Sequence, residues 1–193
     1  MKKVTFYTLG CKVNQYETEA MEELFENRGY TVVNNDEKAD IYVINTCTVT
    51  NLGDRKSRQF IRKAKKFNEN AIIVAVGCYS QVASEDVEKI KEVDIVIGTT
   101  DRDKIVELCE KVKHNNKKIN IVKNIKGHKA FENLNIKDLK SKTRAYIKIQ
   151  DGCNQFCSYC IIPYARGPIR SRQLNYIIQE TERLSKANFK EII

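Results

Sequence analysis

Seven cysteines hold most of the chemistry open to this 193-residue chain, and six of them fall into two groups of three. Cys153, Cys157 and Cys160 lie in the run CNQFCSYC, a C-x3-C-x2-C spacing. Within one loop that spacing brings three sulfurs within reach of one metal cluster. Three protein ligands are one short of the four that close an iron–sulfur cluster or a structural zinc site, which leaves a position for an exogenous group. Zinc with a distant fourth ligand is the other reading, but the two histidines, His114 and His128, show no obvious pairing with these cysteines.

The second group is dispersed. Cys11, Cys47 and Cys78 are separated by 36 and 31 residues, and each follows a short apolar run, in TLGC, VINTC and VAVGC. If those runs are parallel strands, their carboxyl ends line one edge of a sheet, where ligands of open α/β folds bind. A single cysteine there could be a small apolar residue packing a strand end. Three in equivalent places point to a shared site. Gly10 and Gly77 precede two of them, where a tight turn or close backbone approach is useful. Cys109 sits beside Leu108 and Val112 in a helical pattern and reads as core.

The elements needed to position these thiols are legible. Strands are expected at Val4–Thr8, Tyr30–Val33, Ile41–Asn45, Ile72–Val76 and Ile95–Ile97. Helices are expected at Asn14–Arg28, Asp54–Phe67, Ser84–Glu92 and Arg102–Lys113. Asn14 with Glu17 three residues on resembles a capping box, Ser84 and Asp101 read as helix starts, and Gly29 as a stop. β-Branched strands alternating with helices predict a doubly wound α/β domain over 1–113 with a parallel sheet. Residues 114–142, rich in Lys and Asn with scattered Ile, read as a linker holding at most one strand, Ile119–Val122. A second βα unit is expected over 143–193: a strand Thr143–Gln150, the Cys-rich loop, a helix Gln173–Lys186, and a further strand opening at Phe189.

Charge divides the chain in the same way. Residues 1–110 carry 16 Lys and Arg against 19 Asp and Glu, and residues 111–193 carry 18 against 6. The basic half suggests a polyanionic partner such as a nucleic acid, or a solvated lysine-rich surface. No apolar run approaches the ~20 residues of a membrane helix. The opening MKKVTFYTLGC lacks the apolar core of a signal peptide, so the chain reads as cytoplasmic, with its cysteines as ligands or reactive thiols rather than disulfides.

C-x3-C-x2-C after the first strand of a second α/β unit resembles the radical S-adenosylmethionine superfamily. Together with TLGCKVNQYETEAM, INTCTVTNLGDRKSRQFIRKA, VAVGCYSQ and DGCNQFCSYCIIPYARGPIRSR, it is similar to the methylthiotransferase family over the whole chain. The resemblance implies that Cys153, Cys157 and Cys160 bind a 4Fe-4S cluster whose fourth iron takes the amino and carboxylate groups of S-adenosylmethionine. It implies a second, auxiliary 4Fe-4S cluster on Cys11, Cys47 and Cys78. Together these would add a methylthio group to an unactivated aromatic carbon by a radical route. CKVNQYETEA and IIPYARGPIRSR look most like the branch acting on C2 of N6-threonylcarbamoyladenosine next to the tRNA anticodon. The branches acting on isopentenyladenosine in tRNA and on a ribosomal-protein aspartate are the alternatives. A non-catalytic iron–sulfur or zinc protein that binds RNA is the alternative of another class. Family members continue through a partial TIM-type barrel and a β-barrel RNA-binding domain. The chain therefore resembles an N-terminal fragment holding the start of that barrel, and is expected to be inactive alone. The implied partners are tRNA, a reductant such as flavodoxin or ferredoxin, and an unidentified sulfur donor.

The resemblance places Tyr159 near the adenine of S-adenosylmethionine. Arg166, Arg170 and Arg172 are candidates for the cofactor carboxylate or RNA phosphate. Asn14 and Asn45 could tune the auxiliary cluster through amide N–H groups. Arg55, Lys56, Arg58, Arg62, Lys63, Lys65 and Lys66 form a dense basic helix after Cys47, in which Arg55, Arg58, Arg62, Lys65 and Lys66 can share one face.

Overall fold

A computed structural model describes residues 2–115, 117–134 and 144–193 of the chain. The expected linker residues 135–142, and Thr143 at the start of the expected strand, lie outside the described residues.

Six parallel strands form the main sheet: β1 (Lys3–Thr8), β2 (Thr31–Val32), β3 (Ile41–Thr46), β4 (Ile72–Gly77), β5 (Ile95–Ile97) and β6 (Ile119–Asn120). Their spatial order is β2-β1-β3-β4-β5-β6. Alternation along each strand explains why both faces need a cover. Val4 and Phe6 of β1, with Ile41 and Val43 of β3, join one core, while Tyr7, Tyr42 and Ile44 join the other. Helices α1 (Lys12–Asn27) and α5 (Ile105–Asn115) cover the first face, where Met21, Phe25 and Ile105 are fully buried. Burial of a side chain the size of Met21 or Phe25 contributes about 2–3 kcal/mol. The helix α2 (Asn51–Phe67), with the short helices α3 (Cys78–Val82) and α4 (Ser84–Glu88), covers the second face through Ile61, Ala64, Tyr79 and Val87. The result is the doubly wound α/β arrangement expected.

The differences lie at helix starts. Helix α1 begins at Lys12 with Cys11 in the N-cap position, and no side chain among the described residues caps it. Asn14 and Glu17 are therefore inside the helix and buried, not a capping box. Thr50 caps α2, its side chain accepting from the Gly53 N–H at 3.1 Å, so that helix starts three residues before Asp54. The helix expected over Ser84–Glu92 spans only Ser84–Glu88 behind α3, with Ala83 rather than Ser84 at its N-cap, and neither this helix start nor Asp101 makes a side-chain cap bond. Asp101 instead adopts a left-handed backbone ahead of a 3-10 turn at Arg102–Lys104.

The stretch expected as linker is partly built in. Its strand β6 extends the sheet beside β5, and Ile125 and Leu134 are buried, Leu134 against Tyr16 and Ala20 of α1. Beyond it, the expected strand Thr143–Gln150 is two short strands, β7 (Arg144–Ala145) and β8 (Gln150–Asp151). Helix α6 (Ile162–Arg166) and strand β9 (Arg170–Ser171) follow the Cys-rich loop, with β8 and β9 antiparallel. Then α7 (Leu174–Lys186) returns the chain so that β10 (Glu191–Ile192) pairs parallel with β7, one βαβ unit.

Candidate metal centre and its ion cluster

The strand order reverses between β1 and β3, because β2 lies on one side of β1 while the later strands add on the other. Crevices outside the carboxyl ends of strands at such a reversal are the usual ligand sites of open α/β sheets. Cys11 follows β1, Cys47 follows β3 directly, and Cys78 follows β4 directly. All three dispersed thiols are thus on one sheet edge, around the reversal. Cys11 is exposed, whereas Cys47 and Cys78 are buried.

Two glycines allow the approach. Gly10 and Gly77 have φ of +100° and +102°, the left-handed region that favours glycine. A Cβ on Gly10 would stand 2.8 Å from Cys47 Sγ, so the backbone before Cys11 and the Cys47 sulfur are in close contact. A Cβ on Gly77 would stand 2.6 Å from Asn45 Oδ1, a buried oxygen with no hydrogen-bond partner among the described residues.

Polar side chains fix the three loops to one another. Asn14 Nδ2 donates to the carbonyls of Leu9 at 2.7 Å and Thr46 at 3.1 Å, while its Oδ1 accepts from Cys11 Sγ at 3.6 Å. Asn45 Nδ2 donates to the Asn14 carbonyl and to Thr18 Oγ1. Thr46 Oγ1 donates to the Val76 carbonyl at 2.7 Å and accepts from the Ser80 N–H at 3.2 Å. The residues preceding Cys47 and Cys78 are thereby tied together. Asn14 and Asn45 do lie at this edge, and their amides are spent on backbone and hydroxyl groups.

The second trio is built differently. Gly152 has φ +81°, and a Cβ there would fall 2.1 Å from the Pro168 carbonyl oxygen. The Cys153 N–H donates to the Gly167 carbonyl at 3.0 Å, and the Ile169 N–H to Asn154 Oδ1 at 3.0 Å. The loop is closed at its base and open above. Cys157 is exposed and Cys153 and Cys160 are half-buried. Tyr159 is 90 % exposed, and Phe156 and Tyr164 stack edge to face, both exposed. These last two aromatics were not singled out by the sequence, where the motif gave them no distinguishing spacing.

Among the described residues no group of three Cys, His, Asp or Glu side chains is set to hold a metal ion. A polynuclear cluster, in which each cysteine binds its own iron, does not require three sulfurs to converge on one point. The donor set fits such a group: thiols only, on neighbouring strand ends in one case and on one short loop in the other, with glycine backbone leaving the space at Cys47.

Between the two thiol regions lies a buried ion cluster that was barely foreshadowed in the sequence. Glu17 of α1 is fully buried and meets three cations: Arg102 at 3.1 Å, Lys148 at 2.7 Å and Arg166 at 2.9 Å. Lys148 and Arg166 also reach Asp151, at 2.6 and 3.1 Å, and Arg170 reaches it at 3.3 Å. Glu132 pairs with Arg102. Arg166 Nη2 donates to Asn14 Oδ1 at 2.7 Å, the same oxygen that faces Cys11. Burial alone would raise the Glu17 carboxyl, but Arg102, Arg166 and Lys148 hold it well below its ordinary value. Burial pushes the Cys78 thiol up, and Arg166 pulls against that. The one sequence signal for Glu17 is an acid on the stripe Asn14, Met21, Phe25 that otherwise faces the core.

This geometry revises the roles expected for the arginines. The guanidinium of Arg166 is engaged by Glu17, Asp151 and Asn14, so a cofactor carboxylate would have to exchange with one of them. Arg170 is buried against Asp151, and Arg172 pairs with Glu180 and donates to Asn133 Oδ1. Neither Arg170 nor Arg172 is presented to an RNA phosphate. On α2, Arg55, Arg58, Arg62 and Lys66 share a face as expected, and Lys65 does not. Lys65 turns to Asp94 and the Ala71 carbonyl, and Arg58 to Tyr79. Arg55, Arg58, Arg62, Lys63 and Lys66 line an open hollow with Gln59. Cys109 is buried in the core as expected, its thiol pushed up by burial. No helix among the described residues is long and apolar enough to cross a membrane.

Residues 3–98 match the model of a family described as uncharacterized protein family UPF0004. The chain is 47 % identical, over its whole length, to the threonylcarbamoyladenosine tRNA methylthiotransferase MtaB of Bacillus subtilis, of which it covers 43 %. It is 43 % identical over 99 % of its length to the protein of that name from Aquifex aeolicus, of which it covers 47 %. A tRNA-2-methylthio-N(6)-dimethylallyladenosine synthase of Sulfurihydrogenibium sp. is 36 % identical over 96 % of the chain, with 43 % of that protein covered. The chain thus spans less than half the length of these curated relatives.

Proposed function

We propose, from the premise that this chain belongs to the methylthiotransferase family, that it is part of a radical S-adenosylmethionine enzyme. The reaction proposed is addition of a methylthio group to C2 of N6-threonylcarbamoyladenosine beside the tRNA anticodon. The names of the relatives at 47 % and 43 % identity support that substrate over the dimethylallyl one, named for a relative at 36 %.

Cys11, Cys47 and Cys78 would hold the auxiliary 4Fe-4S cluster, and Cys153, Cys157 and Cys160 the 4Fe-4S cluster that takes S-adenosylmethionine. Bound there, these groups supply the one-electron chemistry and the sulfur that no side-chain acid or base can supply at an unactivated aromatic carbon. The protein's own residues orient them. Asn14, Asn45 and Thr46 hold the three strand-end loops in place. The closed base at Gly152 and Gly167 holds the second loop while leaving its tip open. Tyr159, standing free at that tip, is available to pack on the adenine of S-adenosylmethionine. Arg166 would contact the same cofactor only by giving up Glu17 or Asp151. Arg55, Arg62, Lys63 and Lys66 on α2 have no carboxylate partner among the described residues and would attract tRNA phosphates. A reductant such as flavodoxin or ferredoxin would supply the electron.

One observation carries the reading furthest: both thiol regions meet at a single buried ion cluster, so they belong to one working unit. The test is mass spectrometry of tRNA nucleosides from a strain lacking the gene. The expected outcome is loss of the methylthio form of threonylcarbamoyladenosine with the unmethylthiolated nucleoside retained. Loss of the isopentenyl methylthio nucleoside instead would move the substrate to the other branch. No change in either would end the tRNA reading. Iron, labile sulfide and zinc in anaerobically prepared protein separate this from a zinc protein that binds RNA.

A further inference from the structure

The ion cluster is unbalanced. Glu17, Glu132 and Asp151 face Arg102, Lys148, Arg166 and Arg170, three carboxylates against four cations, and all are buried except Glu132, which is slightly open. Arg170 Nε and Nη1 have no hydrogen-bond acceptor among the described residues. Burying an unmatched cation is costly unless an anion is found nearby. Through Arg166 the cluster reaches toward the dispersed thiols. Helix α3, which opens with Cys78, packs on α6, which ends with Arg166. Thr99 Oγ1, at the end of the neighbouring strand, donates to the Ala165 carbonyl at 2.8 Å. Asn14 links Arg166 to Cys11, with an oxygen 2.7 Å from one and 3.6 Å from the other.

We propose that Arg166 is a positioning residue with two linked effects: it docks the second thiol loop on the sheet edge, and it gives the edge a positive bias that favours an anionic metal–thiolate group on Cys11, Cys47 and Cys78. The second effect rests on the reading of that trio as cluster ligands. It follows from charge: thiolate ligands make such a group negative, and the reduction potential of a cluster is set partly by the net charge around it. Removing a nearby cation makes the addition of an electron harder.

The docking effect is tested in metal-free protein by amide hydrogen exchange. In Arg166→Gln, residues 12–18 and 150–170 are expected to lose protection together, by at least roughly tenfold, because the cation that joins Glu17, Asp151 and Asn14 is gone. Arg166→Lys, which keeps the charge, is expected to restore much of it. Unchanged protection in Arg166→Gln overturns the docking role. Loss of protection in only one segment overturns the link between the two regions.

The charge effect is tested by redox titration after anaerobic reconstitution, with Cys153, Cys157 and Cys160 changed to Ala so that one cluster remains. Arg166→Gln is expected to shift its midpoint potential downward, with Arg166→Lys near the parent. A purely mechanical role would leave the potential where it was, and an unchanged potential overturns the bias. If the parent with the intact dispersed trio takes up no iron, the ligand reading and the bias fall together, while the exchange experiment still decides the docking.

Discussion

The two thiol regions solve the same problem by opposite means. Cys11, Cys47 and Cys78 are far apart in sequence and are brought to one edge by the sheet, so their placement depends on the whole core. Cys153, Cys157 and Cys160 are within eight residues, and their placement depends on one loop closed at Gly152 and Gly167. The first arrangement is buried at two of its three thiols; the second is local and more open to solvent. A site made by topology inherits the stability of the fold, whereas a site made by spacing needs only a pinned base and leaves its tip accessible to a cofactor.

The largest effects should come from the thiols themselves. Changing either trio to Ala is expected to abolish the methylthio nucleoside in cells. Each should remove about half the iron of reconstituted protein, since the two sites are separate. Loss of all iron in one triple variant would break the comparison, because it would make the sites interdependent.

Next is Glu17, where the two regions touch. Glu17→Gln leaves Arg102, Arg166 and Lys148 without their shared carboxylate, and removal of one partner from a buried ion pair typically costs about 3–5 kcal/mol. Denaturant unfolding measures this. Glu107→Gln, which removes an exposed pair with Lys111, should leave the unfolding midpoint unchanged.

The pH dependence of the same group has a definite sign. Arg102, Arg166, Lys148 and, across the cluster, Asp151 face Glu17, and the net effect is a carboxyl held well below its ordinary 4.5. The folded state therefore binds fewer protons than the unfolded one in that range. The stabilisation is present above pH 4.5 and is lost as pH falls through the folded value. Acid titration of stability should show a steep fall below pH 4.5 in the parent and a shallower one in Glu17→Gln.

A smaller effect is expected at Gly10. Gly10→Ala places a Cβ 2.8 Å from Cys47 Sγ on a left-handed backbone, a strain of about 1–3 kcal/mol. Iron at the dispersed trio should fall while iron at the loop trio persists, measured in the single-trio backgrounds. The smallest change is on α2. Arg62→Gln or Lys66→Gln should weaken tRNA binding slightly and reduce its salt slope by roughly 0.7–0.9 for each phosphate no longer neutralised; an unchanged slope would remove α2 from the RNA surface.

The strands and the side of the sheet holding the dispersed cysteines were legible because β-branched runs such as Ile41–Ile44 and Ile72–Val76 permit one arrangement, a strand buried on both faces. The C-x3-C-x2-C loop was legible because its spacing is local. Helix starts were less so. Asn14 has the side chain of a cap, yet its amide finds the Leu9 and Thr46 carbonyls, and the latter belongs to a strand 32 residues away. The ion cluster was hidden for the same reason. Arg166 sits in a basic run and reads as a ligand for a cofactor carboxylate or an RNA phosphate, and nothing in its neighbours indicates that Glu17, 149 residues earlier, will meet it. Pairings of that range are set by docking, which periodicity does not record.

Where the sheet edge receives Lys148 and Arg166 of the second unit it offers Asn14 and Glu17, beside the apolar cluster of Tyr16, Ala20 and Leu134 on which Tyr146 packs. During synthesis from the N-terminus, the strands and helices of the first unit can assemble before Lys148 and Arg166 have been made. At that stage Glu17 has Arg102 of the first unit as a partner, and Asn14 has the Leu9 and Thr46 carbonyls, while the carboxylate and amide oxygens that will meet Lys148 and Arg166 can still be hydrated. The unfinished molecule thus shows water a landing site with a wettable patch in it, where a wholly apolar one would be more adhesive.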